Sequence, residues 1–213
     1  MDKRTSISIS VRRHFIDQFF FTHSDLIKGK VIDIGGKKVR KRGLFDIGKY
    51  GADVTYINIA KSDEPDILAD AASIPLPDKS FDVAVISELL EHVPDPLAVL
   101  KEACRLLKPG GRALITIPFM VGVHSDPYDY GRYTSTFLEK VAREAGFREV
   151  KIEEQGAIFA VAGLMLQHLF LAHKKSWRPI QAPLLKFLMW LDKKTTKPLL
   201  RAWSTGYGII LTK

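Results

Sequence analysis

Apolar positions along the chain follow two rhythms. In the first, short runs rich in Val, Ile and aromatic residues stand between turn residues, at 30–34, 54–59, 81–87, 113–117, 147–154 and 207–212. Runs of that length and composition predict strands, and the near-continuous apolar character of 81–87 predicts burial on both faces. In the second rhythm, apolar residues recur at helical spacing. Val11, Phe15 and Phe19, with Ile16 and Phe20 on neighbouring rows, predict a leading helix. Leu97, Leu100, Cys104 and Leu107 predict another, and Phe137, Leu138, Val141, Ala142 and Ala145 a third. The ends of these helices carry their own signals. Asp95 is placed to cap and Pro96 to occupy the first helical position; Thr134 or Ser135 caps the third helix and Gly146 stops it. Lys108-Pro109-Gly110-Gly111 is read as the stop of the middle helix, with a strand resuming at 113.

Strands alternating with helices predict an α/β fold with a doubly wound, mostly parallel sheet covered on both faces. In such sheets ligands sit beyond the carboxyl ends of the strands, where Gly35, Asn58, Glu88 and Phe119 fall. The first strand makes that edge specific. It ends in Asp33 and then Gly35 and Gly36, residues able to take positive φ and to turn backbone N–H groups toward an anion.

Composition narrows the class. A chain of 213 residues supports a full core with an appended subdomain. Cys104 is the only cysteine, so a disulfide framework and a cysteine-based zinc site within one chain are excluded, and no metal is expected. The first residues lack the unbroken apolar core of a signal peptide and no stretch makes a convincing membrane span, which predicts a cytoplasmic protein. The net charge of +8 asks for an anionic partner. Its lysines and arginines gather at Lys37, Lys38, Arg40, Lys41 and Arg42, and again at Lys174, Lys175, Arg178, Lys186, Lys193, Lys194, Lys197 and Arg201. Nucleic acid is the weakest candidate, because no recognition motif accompanies the charge.

Three stretches in order, VIDIGG, LADAASIPLPDKSFDVAVISELLEHVPDP and RLLKPGG, resemble the class I S-adenosylmethionine-dependent methyltransferases over about 30–146 and again in the final strand. The resemblance implies a Rossmann-like sheet of seven strands and S-adenosyl-L-methionine as cofactor. It implies that Asp33, Gly35 and Gly36 hold the amino acid end of that cofactor, with Lys37, standing where the family has another glycine, able to pair with its carboxylate. Asn58 takes the position of the family's ribose-binding acid, Asp70 with Ala71 the adenine position, and Ser87 and Glu88 lie beside the sulfonium. Glu91 caps or anchors and His92 supports the turn. HSDPYDYGRYT, 124–134, resembles a segment that lines the acceptor side in a subset of these enzymes. There His124 is the candidate base, Arg132 a two-pronged anion ligand, and Tyr128 and Tyr133 aromatic walls. The competing expectation is an ordered loop in which Asp126, Asp129 and Arg132 satisfy one another.

The domain reading is an N-terminal helical segment at 1–29, the cofactor-binding domain at 30–156 and 206–213, and a helical insertion at 157–205. Because the strand before the insertion runs with the parallel strands, the insertion emerges at the ligand edge and can cover the acceptor pocket. It is expected to be a lid or homodimer surface, or a module that lies on a membrane through Phe187, Met189, Trp190 and Trp203 with lysines toward anionic headgroups. The functional expectation is methyl transfer to a small-molecule, sugar or lipid-linked acceptor. The alternative is an inactive, methyltransferase-like binding protein held to a membrane surface or partner.

Overall fold

The computed structural model describes residues 10–39, 43–50, 53–125, 127–172 and 178–213. Arg40, Lys41, Arg42, Asp126, Lys174 and Lys175 lie outside them. Helix α1 (Val11–Thr22) leads into β1 (Lys30–Ile34), β2 (Asp53–Asn58), the two-residue β3 (Ile67–Leu68) and β4 (Phe81–Ser87). Then come α2 (Pro96–Leu106), β5 (Leu107–Pro118), α3 (Ser135–Glu144) and β6 (Glu149–Gln155). Helices α4 (Ile158–Ala172), α5 (Arg178–Lys193) and α6 (Pro198–Arg201) precede the last strand, β7 (Gly206–Thr212). The sheet has seven strands in the order β3-β2-β1-β4-β5-β7-β6. β1 runs parallel to β2 and β4, β4 parallel to β5, and β7 antiparallel to both β5 and β6.

The two-residue alternation of strand side chains divides the core. Ile32, Ile34, Ala84, Ile86, Ala113 and Ile115 face α2 and α3, packing with Leu100, Leu106, Leu138 and Val141. Val31, Val83, Val85 and Leu114 point the other way, onto Ile16, Phe19 and Phe20 of α1. Strands buried on both sides therefore read as continuous apolar runs. The caps are where their residue types place them. Asp95 accepts from the Ala98 N–H at 3.1 Å, and Thr134 from the Phe137 N–H at 3.3 Å. One boundary differs from expectation, because β5 begins at Leu107, directly after α2, and carries Lys108-Pro109-Gly110-Gly111 within it. Pairing jumps from Phe81↔Leu107 to Val83↔Arg112, so these four residues form an irregularity in the strand. β3 is too short for a periodic signal.

A third, smaller core joins the insertion to the leading helix. Val11 packs with Ala160, Leu164 and Leu185, flanked by Phe15, Val121 and Met189. Asp192, near the end of α5, accepts from the N–H groups of Ala157 and Ala160 and so caps α4 from a neighbouring helix. Pro183 lies inside α5, which continues through it.

The segment after Asp70 is anchored from α2. Arg105 donates to the Ile74 and Leu76 carbonyls, while Glu102 accepts from the Ile74 N–H at 2.7 Å and from Arg105. This lets a proline-broken loop hold one shape without regular structure. The Arg105 hydrogen bonds, against the opposing pull of burial, hold the Glu102 carboxyl below its ordinary value of 4.5. A depressed folded-state value gives stability that is present above 4.5 and lost as pH falls through the folded value. Glu102→Gln is therefore expected to lie below wild type in urea-denaturation stability at pH 7, with the gap closing below 4.5. A pH-independent gap would mean that the pair has no linked role.

Candidate active site

The carboxyl ends of β1, β2, β4 and β5 open into one cleft of about 1270 Å³. Its wall contains Asp33, Gly35, Gly36, Lys37, Asn58, Asp70, Ala71, Ser87 and Glu88, all nine residues that the sequence pattern assigns to one ligand. The turn after β1 tolerates little side-chain bulk. Gly35 has φ +80, and a Cβ there would stand 2.8 Å from Leu89 Cδ1; one on Gly36 would run into the Asp33 carboxylate.

Three residues, Gly35, Asn58 and Lys37, have groups engaged within the protein. The Gly35 N–H donates to the Ile57 carbonyl at 2.8 Å, extending the β1–β2 pairing, so Gly35 supplies space while its N–H is committed. Asn58 donates through Nδ2 to the carbonyls of both Gly35 and Gly36 and accepts the Ala60 N–H at Oδ1. Its two donors therefore fasten the glycine turn. The Lys37 ammonium lies 3.2 Å from Asp63 Oδ2 and is turned toward that carboxylate. Asp70 accepts the Ala72 N–H and remains exposed at the other end of the cleft.

In the wall of the cleft lies an ion pair with no signal in the strand pattern. Arg12, on α1, donates to both Glu88 oxygens, at 3.0 and 2.6 Å, and to Gln155 Oε1 at 2.5 Å. Burial opposes the charge of Glu88, but Arg12 outweighs it and holds the carboxyl below its usual range. Glu88 has φ +50, and its N–H donates to the Thr116 carbonyl, so β5 fixes the turn that aims its side chain. Ser87 Oγ and Thr116 Oγ1 are 3.0 Å apart.

The acceptor end is built from loop 119–134 and the turn at Leu90–His92. Tyr130 N donates to the Glu91 carbonyl at 2.7 Å, and His92 Nδ1 lies 2.6 Å from the Tyr128 carbonyl. His124, Tyr128 and Tyr130 line the cleft. Arg132 does not: its donors go to Asp129 twice and to the Val121, Gly122 and Gly131 carbonyls. It is a clamp on the loop, and its pairing holds Asp129 at about 2. Tyr133 is likewise absent from the wall and stacks on Phe137 at 5.0 Å. Glu91 is fully buried, and burial together with the charge of Glu88 pushes it up to about 8.

The fold has 18% sequence identity and a TM-score of 0.61 with an S-adenosylmethionine-dependent methyltransferase from Archaeoglobus fulgidus, covering 94% of both chains. It also matches the [4+2]-cyclase SpnF, with a TM-score of 0.57. Residues 40–115 match the family described as a methyltransferase domain. The fold is that of the class I S-adenosylmethionine-dependent methyltransferases.

Among curated relatives, a demethylmenaquinone methyltransferase from Anoxybacillus flavithermus is 32% identical over 52% of this chain and 41% of its own length. A 27-O-demethylrifamycin SV methyltransferase from Amycolatopsis mediterranei is 33% identical over 42% and 35%. A ubiquinone biosynthesis O-methyltransferase from Stutzerimonas stutzeri is 32% identical over half of each chain. The chain thus spans half or less of the length of these relatives. In the methyltransferase fold the cofactor is S-adenosylmethionine, and this cleft fits it: the glycine turn leaves no room for a Cβ, and a buried carboxylate, Asp33, stands beside it. The residues that sequence reasoning missed are Arg12, Gln155, Gln167 and His168. All come from α1, β6 or α4, outside the motif-bearing half of the chain. The only available signal was the unusual arginine among apolar positions of α1.

Proposed function

We propose that this chain transfers a methyl group from S-adenosylmethionine to a small, partly apolar acceptor that presents a hydroxyl. The observation that supports this is the single cleft. It runs from the glycine turn and Asp70 at one end to His124, Tyr128 and the α4 residues Leu164, Gln167 and His168 at the other. S-adenosylmethionine, when bound, supplies an electrophilic methyl group on a sulfonium. Asp33 and the backbone of Gly36 and Lys37 would receive its amino acid end, and Asp70 with Ala71 its adenine. Asn58 would act through the turn that it holds. In-line displacement asks mainly for alignment and exclusion of water, which α1 and α4 would provide above the cleft. His124 stands at the acceptor end of the cleft.

The surface of the insertion, outside the cleft wall, supports an acceptor class. Met165, Leu169, Ile180, Phe187, Trp190, Leu199 and Trp203 of the insertion are all exposed, an apolar surface that would suit an amphipathic or lipid-linked acceptor. Among the described residues, no helix is long and apolar enough to cross a membrane. Relatives named for demethylmenaquinone and 27-O-demethylrifamycin SV support a small-molecule acceptor.

Calorimetric titration with S-adenosylmethionine and S-adenosylhomocysteine is expected to give micromolar binding, weakened about tenfold or more by Asp33→Ala or Asp70→Ala. Transfer of labelled methyl to a hydroxyquinone or a lipid-linked sugar should exceed transfer to a soluble sugar. Folded protein that binds neither cofactor form would replace this reading with that of an inactive binding protein.

A further inference from the structure

We propose that Glu91, His92 and His124 form a binding site for a divalent first-row transition metal ion at the acceptor end of the cleft. Sequence spacing hides it, because Glu91 and His92 are adjacent while His124 comes from the loop beyond β5. The fold brings one donor atom from each to within 4.8 Å of the others. Glu91 Oε1 is 3.5 Å from His92 Nε2 and 3.9 Å from His124 Nε2. Donors held about 2.1 Å from one ion stand roughly 3 to 3.4 Å apart, so the Glu91–histidine distances need contract by about half an ångström or less, and the two histidine nitrogens would close up by rotation of the exposed His124 ring.

The buried carboxylate is the second, independent observation. The Glu91 side chain has no exposed surface, and neither of its oxygens receives a hydrogen bond. Such a group is costly unless something compensates it. The two guanidinium groups nearby are engaged elsewhere, Arg12 with Glu88 and Arg132 with Asp129. What faces the carboxylate is a pair of imidazole edges. His92 Nδ1 lies 2.6 Å from the Tyr128 carbonyl, which fixes the ring hydrogen there and leaves the Nε2 lone pair directed toward Glu91. His124 Nδ1 lies 3.0 Å from the Gly122 carbonyl and 3.2 Å from Arg132 Nη2. In the tautomer whose Nδ1–H donates to the Gly122 carbonyl the Nε2 lone pair also meets Glu91, and metal binding would select that tautomer over the one that accepts from Arg132. A cation held among the three groups would meet both lone pairs and the carboxyl oxygen at once, in exchange for the carboxyl proton.

The two rings meet edge to face, at 88° with centroids 5.3 Å apart, beside the carboxylate. One carboxylate with two imidazoles suits Mn, Fe, Co, Ni or Zn better than Mg or Ca, which prefer all-oxygen sites. His92 and His124 line the cleft and Glu91 lies behind them, so the remaining coordination positions would face the acceptor. The role of the ion rests on the methyltransferase reading: it would orient an acceptor through oxygen donors and make His124 a ligand in place of a base. The site itself does not depend on that reading.

The test is titration of chelator-treated protein with Co(II), followed by visible absorption, and with Zn(II) by calorimetry. The expected result is one ion per chain with a protein-dependent Co(II) spectrum. Glu91→Gln and His124→Ala should each weaken binding by about 100-fold or more, since even outer partners of metal ligands cost 10- to 100-fold. His124 is exposed, so His124→Ala should keep the wild-type thermal midpoint and remains informative if Glu91→Gln does not fold. Absence of saturable binding in wild type, or binding unchanged by His124→Ala, overturns the proposal. S-adenosylmethionine titration of the same metal-free protein separates the two readings. Cofactor binding without metal binding would defeat this site alone, and metal binding without cofactor binding would defeat the methyltransferase reading alone.

Discussion

Arg12→Met is expected to lower stability by about 3–5 kcal/mol, the usual consequence of leaving one member of a buried ion pair without its partner. Arg12 and Glu88 side chains are only 8% and 15% exposed, so water cannot readily replace the lost guanidinium. Methionine preserves much of the length of the side chain, and the effect should therefore reflect charge and hydrogen bonding more than packing. For a chain of this size the thermal midpoint should fall by roughly 10 °C. The double variant Arg12→Met with Glu88→Gln should recover most of the loss, because a neutral amide no longer demands a counter-charge. Urea denaturation of the three proteins reads both effects. A single variant within about 1 kcal/mol of wild type would show that Glu88 is compensated otherwise. The result matters beyond stability, because this pair ties the leading helix to the turn at the end of β4, and so holds one wall of the cleft.

Gly36→Ala should cut S-adenosylmethionine affinity by about tenfold or more, equivalent to about 1.4 kcal/mol or more. The added methyl has to displace the Asp33 carboxylate, one of the groups assigned to the cofactor. Asp33 is almost fully buried at the end of a central strand and has little freedom to move aside. Gly163→Ala is the matching control. Its Cβ would meet nothing closer than 3.5 Å, and alanine favours the helix in which it lies. Cofactor calorimetry on the two variants compares a blocked turn with a harmless methyl. Equal affinities would mean that the cofactor does not approach the backbone at Gly36.

The order of strands and helices was legible because each depends on local chemistry. The buried strands read as apolar runs because both faces are covered, and the helices declare their starts through Asp95 and Thr134, whose side chains bond within three residues of themselves. The glycine turn was legible for the same reason, since the lack of a Cβ is a property of the residue alone. Its neighbours were not. Asn58 and Lys37 looked like cofactor ligands, and only the folded chain turned their donors onto the Gly35 and Gly36 carbonyls and onto Asp63. Arg132 had two alternatives in the sequence, and the presence of Asp129 and three carbonyls within reach decided for the clamp. Arg12 with Glu88 are 76 residues apart, and Glu91 meets His124 across β5. By itself the sequence determined the sheet, its ligand-bearing edge and the turn that opens it, all set by short-range patterning. Which polar side chains are spent on holding the fold, and which are left facing the cleft, was decided only by tertiary structure, because a hydrogen-bond donor is committed by whatever acceptor the rest of the chain brings to it.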